Sequence, residues 1–287
     1  MNDVKVQRNY KDSIFRMLFK DKENLLSLYN ALNKTDYSDV DKLEITTLEN
    51  AVYMNYKNDV SFVFDFELLL YEHQSTVNPN MPLRDLFYVA DVLQKRAYSR
   101  DLYGKYLIRI PTPRFVVFYN GVAYQPERQT LKLSDAYEKK QENPELELTV
   151  TVYNINRGYN EEIKDACRTL KEYAMYVEQV RTYARQMPLA EAVEKAVNHC
   201  IESGILSEFL RKNQAEVVKV SIYEYDEELH FRTLREEGLA QGENRVNMLN
   251  SILIDAGRID DLKHAVKDKS YQEQLMRELL PLEMQNV

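Results

Sequence analysis

The stretch NDVSFVFDFELLLYEHQS, residues 58–75, decides the fold because two apolar runs flank a short polar break. Runs rich in Val, Phe, Leu and Tyr are typical of β-strands, and a turn near residues 65–67 predicts a β-hairpin. The second run ends in Glu72-His73-Gln74, which places a carboxylate at the end of a strand built for burial. Burying a charged carboxylate costs free energy unless the charge is paired. Glu72 therefore either marks where the strand surfaces or holds a metal ion.

Two carboxylates are expected to meet at this end of the hairpin. Counting back around the turn places Asp59 opposite Glu72, and alternation puts Gln74 on the face of Glu72 and His73 on the other face. Neighbouring carboxylates repel unless a divalent cation lies between them, and their oxygens suit Mg²⁺ or Mn²⁺. The spacing indicates a metal site at Asp59 and Glu72, with Gln74 positioning a water and His73 structural. An ordinary acidic strand end remains the alternative.

A helix is predicted to follow the breaker-rich loop, because Pro82 suits the first turn of a helix. It is expected to run to about residue 103, with one apolar and one polar stripe. The apolar, core-facing stripe comprises Leu83, Leu86, Phe87, Ala90, Leu93 and Ala97. The polar stripe comprises Arg84, Tyr88, Asp91 and Lys95. Arg84 and Tyr88 are therefore candidates for contact with backbone phosphates.

The charge distribution bears on whether the binding partner is a nucleic acid. The chain has 38 Lys and Arg against 46 Asp and Glu, and its net charge of −8 argues mildly against nucleic acid. Residues 84–114 nevertheless carry an excess of positive charge, in which Lys95, Arg96 and Arg100 extend the cationic surface of Arg84. Residues 224–237 are acidic and are interpreted as a solvated helix face. The candidate site is thus basic within an acidic protein.

The rest of the chain completes an α/β pattern. Residues 10–33 predict an amphipathic helix with Asp12 near its start, residues 43–56 an extended segment, and residues 114–121 and 146–156 two further strands. From about residue 159 the pattern is helical only. The expected order is helix, three strands, helix, strand, connection and final strand, followed by an all-helical C-terminal region. Residues 1–158 and 159–287 are the predicted domains.

Several classes of function are disfavoured by composition. Two distant cysteines, Cys167 and Cys200, are expected to be reduced core residues, and the seven glycines form no phosphate-binding loop. No apolar run is long enough to span a membrane, and the polar N-terminus lacks the apolar core of a signal peptide. We therefore expect a cytoplasmic protein without a membrane partner.

The segments NDVSFVF and LLLYEHQSTVNPNMPLRDLFY resemble the Rpn-type recombination-promoting nuclease and transposase family, which is similar to the PD-(D/E)xK nucleases. YKDSIFRMLF, PTPRFVVFYNG, VTVYNINRGYN, CIESGILSEFLRKNQAEV and EEGLAQG continue the likeness to about residue 245. The resemblance implies a three-layer α/β nuclease core and Mg²⁺-dependent DNA cleavage, with Mn²⁺ as a substitute. Its acidic pair falls on Asp59 and Glu72, and Asp12 matches a position that often supports such sites. Gln74 stands where most relatives in the wider superfamily carry lysine.

Two other functions compete with a nuclease. A nuclease-fold protein without turnover could bind DNA or assemble into homo-oligomers through its helical tail, and Gln74 together with the acidic net charge favours that alternative. A glycoside hydrolase could use two carboxylates as acid and base. The absence of tryptophan and the local basic charge make a glycosidase the weakest of the three.

Overall fold

The computed structural model describes residues 14–46, 59–76, 78–97 and 102–281. Within these ranges the N-terminal region contains a six-stranded mixed sheet with the order β1-β2-β3-β4-β6-β5. The strands are β1 (Glu44–Ile45), β2 (Val60–Phe64), β3 (Glu67–Gln74), β4 (Thr112–Tyr119), β5 (Arg128–Lys132) and β6 (Thr149–Asn154). Strands β3, β4 and β6 are parallel, and the other neighbouring pairs are antiparallel. The expected α/β region is confirmed.

The β2–β3 hairpin has the predicted turn and register. Val60 pairs with Tyr71 and Phe64 with Glu67, so the chain reverses at Asp65 and Phe66. Both turn residues have positive φ angles, 46° and 62°, as a tight two-residue hairpin turn requires. The Asp65 carboxylate also accepts a hydrogen bond from the Tyr37 hydroxyl at 3.0 Å. The two apolar runs and the short break between them were therefore sufficient to predict this hairpin.

Helices cover both faces of the sheet, and every element described from residue 161 to residue 279 is a helix. They are α1 (Ile14–Phe19), α2 (Lys22–Asn33), α3 (Met81–Ala97), α4 (Glu161–Ala166), α5 (Arg168–Ala184), α6 (Leu189–Glu202), α7 (Ser207–Asp255), α8 (Ile259–Ala265) and α9 (Lys269–Leu279). Two short 3-10 helices, Val40–Lys42 and Leu133–Ala136, lie in connections. The predicted N-terminal helix is two helices, because Asp21 caps a new helix by accepting from the backbone N–H groups of Glu23 and Asn24.

Alternate residues of β3 enter two different hydrophobic cores. Leu69 and Tyr71 pack with α1, α2, α5, α6 and the first part of α7, whereas Leu68 and Leu70 pack against α3 and the inner residues of β4 and β6. This alternation follows from the period of two along a strand. It also places Glu72 and Gln74 on the α3 side of the sheet and His73 on the side of α1 and α5.

The face of α3 that packs on the sheet differs from the predicted one. Its buried residues are Met81, Pro82, Asp85, Tyr88, Val89 and Val92, while Leu83 and Phe87 of the expected core stripe are exposed. Helix α3 carries two apolar stripes at helical spacing, and the one that packs includes Asp85 and Tyr88, of which Tyr88 was predicted to lie in the polar stripe. The helix is described as far as Ala97, and residues 102 and 103 are no longer helical.

Strand β5 was predicted only as a connection. Its sequence RQTLK is polar, and its side chains are exposed or half-buried because it pairs only with β6 at the edge of the sheet. An edge strand tolerates polar residues on both faces, so it lacks the apolar alternation that identifies a central strand.

The chain divides into two compact units, residues 1–226 and 227–287. The predicted boundary at residue 158 marks the change from mixed to helical structure, so the first unit includes α4, α5 and α6. The second unit has a small core of its own: Leu249, Leu253, Ala265, Leu275, Met276 and Leu280. Cys167 and Cys200 are buried and free, as expected. In the described parts of the chain, no helix is long and apolar enough to cross a membrane.

Gly121, directly after β4, is expected to be intolerant of a side chain. A methyl group there would overlap the backbone oxygen of Ser75 and the ring of Tyr119. Because one of these neighbours is backbone, Gly121→Ala should lower the free energy of unfolding by about 3 kcal/mol. Gly238→Ala is the matched control, since its new methyl would meet nothing within 4 Å. Equal stability of the two variants in chemical denaturation would contradict this packing.

Candidate active site at the ends of the parallel strands

The carboxyl ends of β3, β4 and β6 form one edge of the sheet, and hydrogen bonds hold them together. The N–H of Asn120 donates to the Gln74 carbonyl at 2.9 Å, and the N–H of Ile155 donates to the Tyr119 carbonyl at 2.8 Å. The Asn156 side chain donates to the Gly121 carbonyl at 3.0 Å. Ligand sites in open α/β sheets lie preferentially outside this edge. The rigid edge is therefore a suitable support for the residues predicted to act.

The structure brings Asp59 and Glu72 together. Asp59 precedes β2, and the register that pairs Val60 with Tyr71 places it beside Glu72. Its Oδ2 accepts the backbone N–H of His73 at 2.8 Å, which holds the carboxylate at the end of the hairpin. Glu72 is buried, with 8% of its surface exposed. The negative charge of Asp59 contributes to the electrostatic environment of Glu72, as expected for two adjacent carboxylates.

Burial raises the pKa of Glu72 to about 7, the Arg84 guanidinium opposes that shift, and the Asp59 charge adds to it. Glu72 is therefore only partly ionised at neutral pH, chiefly because it is buried. A cation bound near this carboxylate would favour its ionised form.

Arg84 and Gln74 converge on one oxygen of Glu72. Arg84 Nη2 donates to Glu72 Oε1 at 2.9 Å, and Gln74 Nε2 donates to the same atom at 3.3 Å. Both side chains also contact the sulfur of Met81, Gln74 at 2.6 Å and Arg84 at 3.3 Å. The first turn of α3 therefore supplies the cation that partners Glu72, and β3 supplies an amide beside it.

Asp85 is a third carboxyl group near the site, and the sequence patterns did not single it out. It is 4% exposed on the sheet-facing side of α3. Burial raises the pKa of Asp85 well above its usual value, the charge of Glu72 raises it further, and Arg84 opposes the shift. An acidic residue within the buried stripe of a helix would have been the only signal, and Asp85 belonged to neither of the two predicted stripes.

The remaining predicted site residues do not join this cluster. Tyr88 is 3% exposed, and its hydroxyl lies 3.0 Å from the Ser61 hydroxyl beneath α3. The predicted contact of Tyr88 with a phosphate is therefore wrong, and this residue belongs to the core. Lys95 pairs with Asp91 at 3.0 Å, and Arg96 pairs with Glu44 at 2.7 Å, both near the last turn of α3. Asp12 and Arg100 lie outside the described residues.

His73 occupies the opposite face from Glu72, as alternation predicts. Its ring lies between Phe15 and Tyr173, with ring centroids 5.9 Å and 5.3 Å away. Burial lowers the pKa of His73 to about 3, and the nearby Arg181 adds to that effect. A neutral imidazole between two aromatic rings is a core residue.

The buried histidine should make stability sensitive to acid. A pKa lowered on folding means that the unfolded chain binds the proton more tightly, so stability is lost as pH falls from about 6.5 towards 3. His73→Phe should remove about 2 kcal/mol of the stability difference between pH 8 and pH 5. Denaturant unfolding at both pH values measures it. An unchanged difference would mean that His73 ionises freely in the folded protein.

The residues present suit a magnesium ion that keeps part of its water shell. In the described ranges, no group of three or more His, Cys, Asp or Glu side chains is arranged to hold a metal ion. Mg²⁺, however, is commonly bound by one or two carboxylates together with water and substrate phosphates. Asp59 and Glu72 are two such adjacent carboxylates, paired across the β2–β3 hairpin. The donor set thus fits Mg²⁺ or Mn²⁺.

Comparisons of the chain with protein-family models, curated proteins and solved structures find no match. The resemblance to recombination-promoting nucleases accordingly stays an expectation based on the quoted sequence motifs.

Proposed function

We propose that this chain is a metal-dependent DNA endonuclease of the PD-(D/E)xK type that hydrolyses phosphodiester bonds, with a role in DNA recombination or mobile-element activity. The observation that carries the proposal is the β2–β3 register, which joins Asp59 and Glu72 at the end of the sheet beside Arg84 and Gln74. Two adjacent carboxylates can hold a metal ion, and a metal ion can activate water and stabilise charge on a phosphate. The sequence resemblance points to the same reaction.

Each residue of the cluster has a distinct role in this proposal. Asp59 and Glu72 would hold Mg²⁺ or Mn²⁺, which when bound activates water and stabilises charge on the phosphate. The Gln74 amide donates to Glu72 and can also orient a water molecule on the same face of β3. Burial and the charge of Glu72 raise the pKa of Asp85 well above its usual value, which disfavours a further negative charge beside the site.

Arg84 supplies the positive charge that a lysine at position 74 would otherwise provide. Its guanidinium has several donors in a planar arrangement, so it can keep one contact to Glu72 and direct others towards a phosphate oxygen. Its side chain is 23% exposed, which leaves it accessible from the surface. Lys95 and Arg96 lie further along α3 and are proposed to contact the DNA backbone away from the scissile bond.

Cleavage of supercoiled plasmid and linear DNA with Mg²⁺, Mn²⁺ or EDTA tests the function. Wild type should nick or cut DNA only with a divalent cation, and Asp59→Asn should abolish that activity. Asp65→Asn is the matched control, because this exposed aspartate in the hairpin turn lies at the other end of β3 and should leave cleavage unchanged. Equal activity of wild type and Asp59→Asn would remove the site assignment.

A nuclease-fold protein that binds DNA or assembles without cutting it is the second candidate. The observation that favours it is the contact of Arg84 and Gln74 with the same Glu72 oxygen, which satisfies that atom without a metal ion. This alternative predicts DNA binding or a stable homo-oligomer, with no cleavage at any divalent cation. The plasmid assay separates it from the nuclease.

A further inference from the structure

Residues 121–127 lie between β4 and β5 and form a loop whose backbone is held by neighbouring elements. Alternate carbonyl groups of this 121–127 loop accept hydrogen bonds of 2.6–3.0 Å from β4, from β6 or from the residues just after β6. The accepting residues are Gly121, Ala123, Gln125 and Glu127. The loop backbone is therefore fixed in one conformation.

The side chains between these held carbonyls are exposed. Tyr124 is 82% exposed and Val122 56%, and Pro126 is exposed as well. The loop has no charged residue before Glu127, whose charge is opposite to that of the adjacent Arg128. Ordering a loop is one of the main costs of binding. Because this backbone is already ordered, a ligand that contacts Tyr124 would not have to offset that cost.

The 121–127 loop borders the candidate active site. Tyr119 pairs in register with Gln74, so the two side chains share the face of the sheet that also carries Glu72. The Tyr119 hydroxyl donates to the Ala123 carbonyl at 2.7 Å and so ties the loop to that face. Neighbouring strands lie about 4.8 Å apart, which places the start of the loop one strand spacing from Gln74.

The size and neutrality of the exposed surface indicate what it binds. An aromatic side chain buries at most about 250 Å², far below the roughly 800 Å² per partner of a stable protein interface, which argues against a second copy of the chain. The loop has no cation before Arg128 to attract a phosphate. A nucleobase has the size and the flat face that a tyrosine ring covers. In a duplex the neighbouring base pairs already cover both faces of a base, so the base must be unpaired.

We propose that Tyr124, with Val122 as a second apolar contact, stacks on an unpaired nucleobase beside the scissile phosphate and so selects DNA with unpaired bases. The inference rests on the proposed nuclease function for the position of that phosphate, whereas the stacking itself does not require cleavage. The expected substrate is single-stranded DNA, or a single-stranded tail or flap, in preference to a fully paired duplex.

Fluorescence anisotropy in EDTA measures the stacking separately from cleavage. A labelled 12-nucleotide single strand and the same sequence as a duplex are titrated with wild type, Tyr124→Ala and Tyr124→Phe. Tyr106→Ala is the matched control, because Tyr106 is 92% exposed and precedes β4, at the opposite end of that strand. We expect Tyr124→Ala to bind the single strand about tenfold more weakly than wild type. Tyr124→Phe, which keeps the ring, and the control should bind it like wild type.

Two further measurements separate a substrate contact from a structural role. With a single-stranded substrate and Mg²⁺, Tyr124→Ala should raise KM about tenfold and leave kcat nearly unchanged, because Tyr124 contacts a base and not the reacting atoms. Tyr119→Phe releases the Ala123 carbonyl and should weaken single-strand binding by a smaller factor. In a Tyr124→Ala background, Tyr119→Phe should cause no additional loss of binding.

Equal single-strand affinity of wild type and Tyr124→Ala would overturn the inference, as would a wild type that binds the duplex as well as the single strand or binds neither. Tyr124→Phe that binds as weakly as Tyr124→Ala would assign the contact to the hydroxyl group and overturn the stacking. Plasmid cleavage by wild type alongside any of these results leaves the proposed nuclease intact. Single-strand binding that depends on Tyr124, without any cleavage, supports the role of the 121–127 loop and rejects the nuclease.

Discussion

Glu72→Gln should abolish metal-dependent cleavage while leaving the protein folded and more stable above neutral pH. Replacing the carboxylate with an amide removes a metal ligand, and we expect the cleavage rate to fall about a thousandfold, as when a preorganised electrostatic group is lost. The same change removes a buried charge whose ionisation is disfavoured. Loss of activity together with a gain in stability would distinguish a functional residue from a structural one.

The sign of the stability change follows from the pKa of Glu72, which folding raises from about 4.5 to about 7. The folded state therefore loses stability as pH rises through this interval, and the loss is complete above it. Relative to wild type, Glu72→Gln should gain up to about 3 kcal/mol at pH 8 and almost nothing at pH 4. Denaturant unfolding at both pH values measures the gain. Exposed Glu145→Gln is the control and should change neither stability nor cleavage.

Arg84→Ala should impair both activity and stability, and its effect on stability should depend on pH. The guanidinium opposes the rise in the pKa of Glu72, so its removal raises that pKa further. We expect a loss of about 2 kcal/mol at pH 8 and less at pH 5, smaller than for a fully buried pair because Arg84 is 23% exposed. Cleavage should fall about a hundredfold, because a phosphate contact is lost as well.

Two further variants test whether the effect of Arg84→Ala comes from its contact with Glu72. Lys95→Ala removes an exposed cation from the same helix and should cost less than about 0.5 kcal/mol. In a Glu72→Gln background, Arg84→Ala should lose most of its cost at pH 8, because the Glu72 carboxylate that accepts the Arg84 hydrogen bond is no longer present. A full cost in that background would show that Arg84 stabilises the fold through contacts other than the one with Glu72.

The hairpin and its acidic pair could be predicted from sequence because both depend on local rules. A two-residue turn fixes the register of the strands that it joins, and the period of two then determines which side chains share a face. Asp59, Glu72 and the opposite-facing His73 follow from those rules.

The surroundings of Asp59 and Glu72 could not be predicted, because they depend on which face of α3 packs against the sheet. Both stripes of α3 carry apolar residues, and the sheet selects the stripe with Asp85 and Tyr88. That choice buries Asp85 and Tyr88 and leaves Leu83 and Phe87 exposed, and none of these outcomes follows from spacing alone. The contact of Arg84 with Glu72, 12 residues away in sequence, likewise requires the helix to fold back on β3.

Calorimetric titration of Mn²⁺ at pH 8 into wild type and Glu72→Gln tests the central claim most directly, namely that Asp59 and Glu72 together hold a divalent cation. We predict one Mn²⁺ per wild-type chain, and binding at least about a hundredfold weaker in Glu72→Gln. Equal uptake by both proteins, or no uptake by wild type, would contradict a metal site at the end of the β2–β3 hairpin.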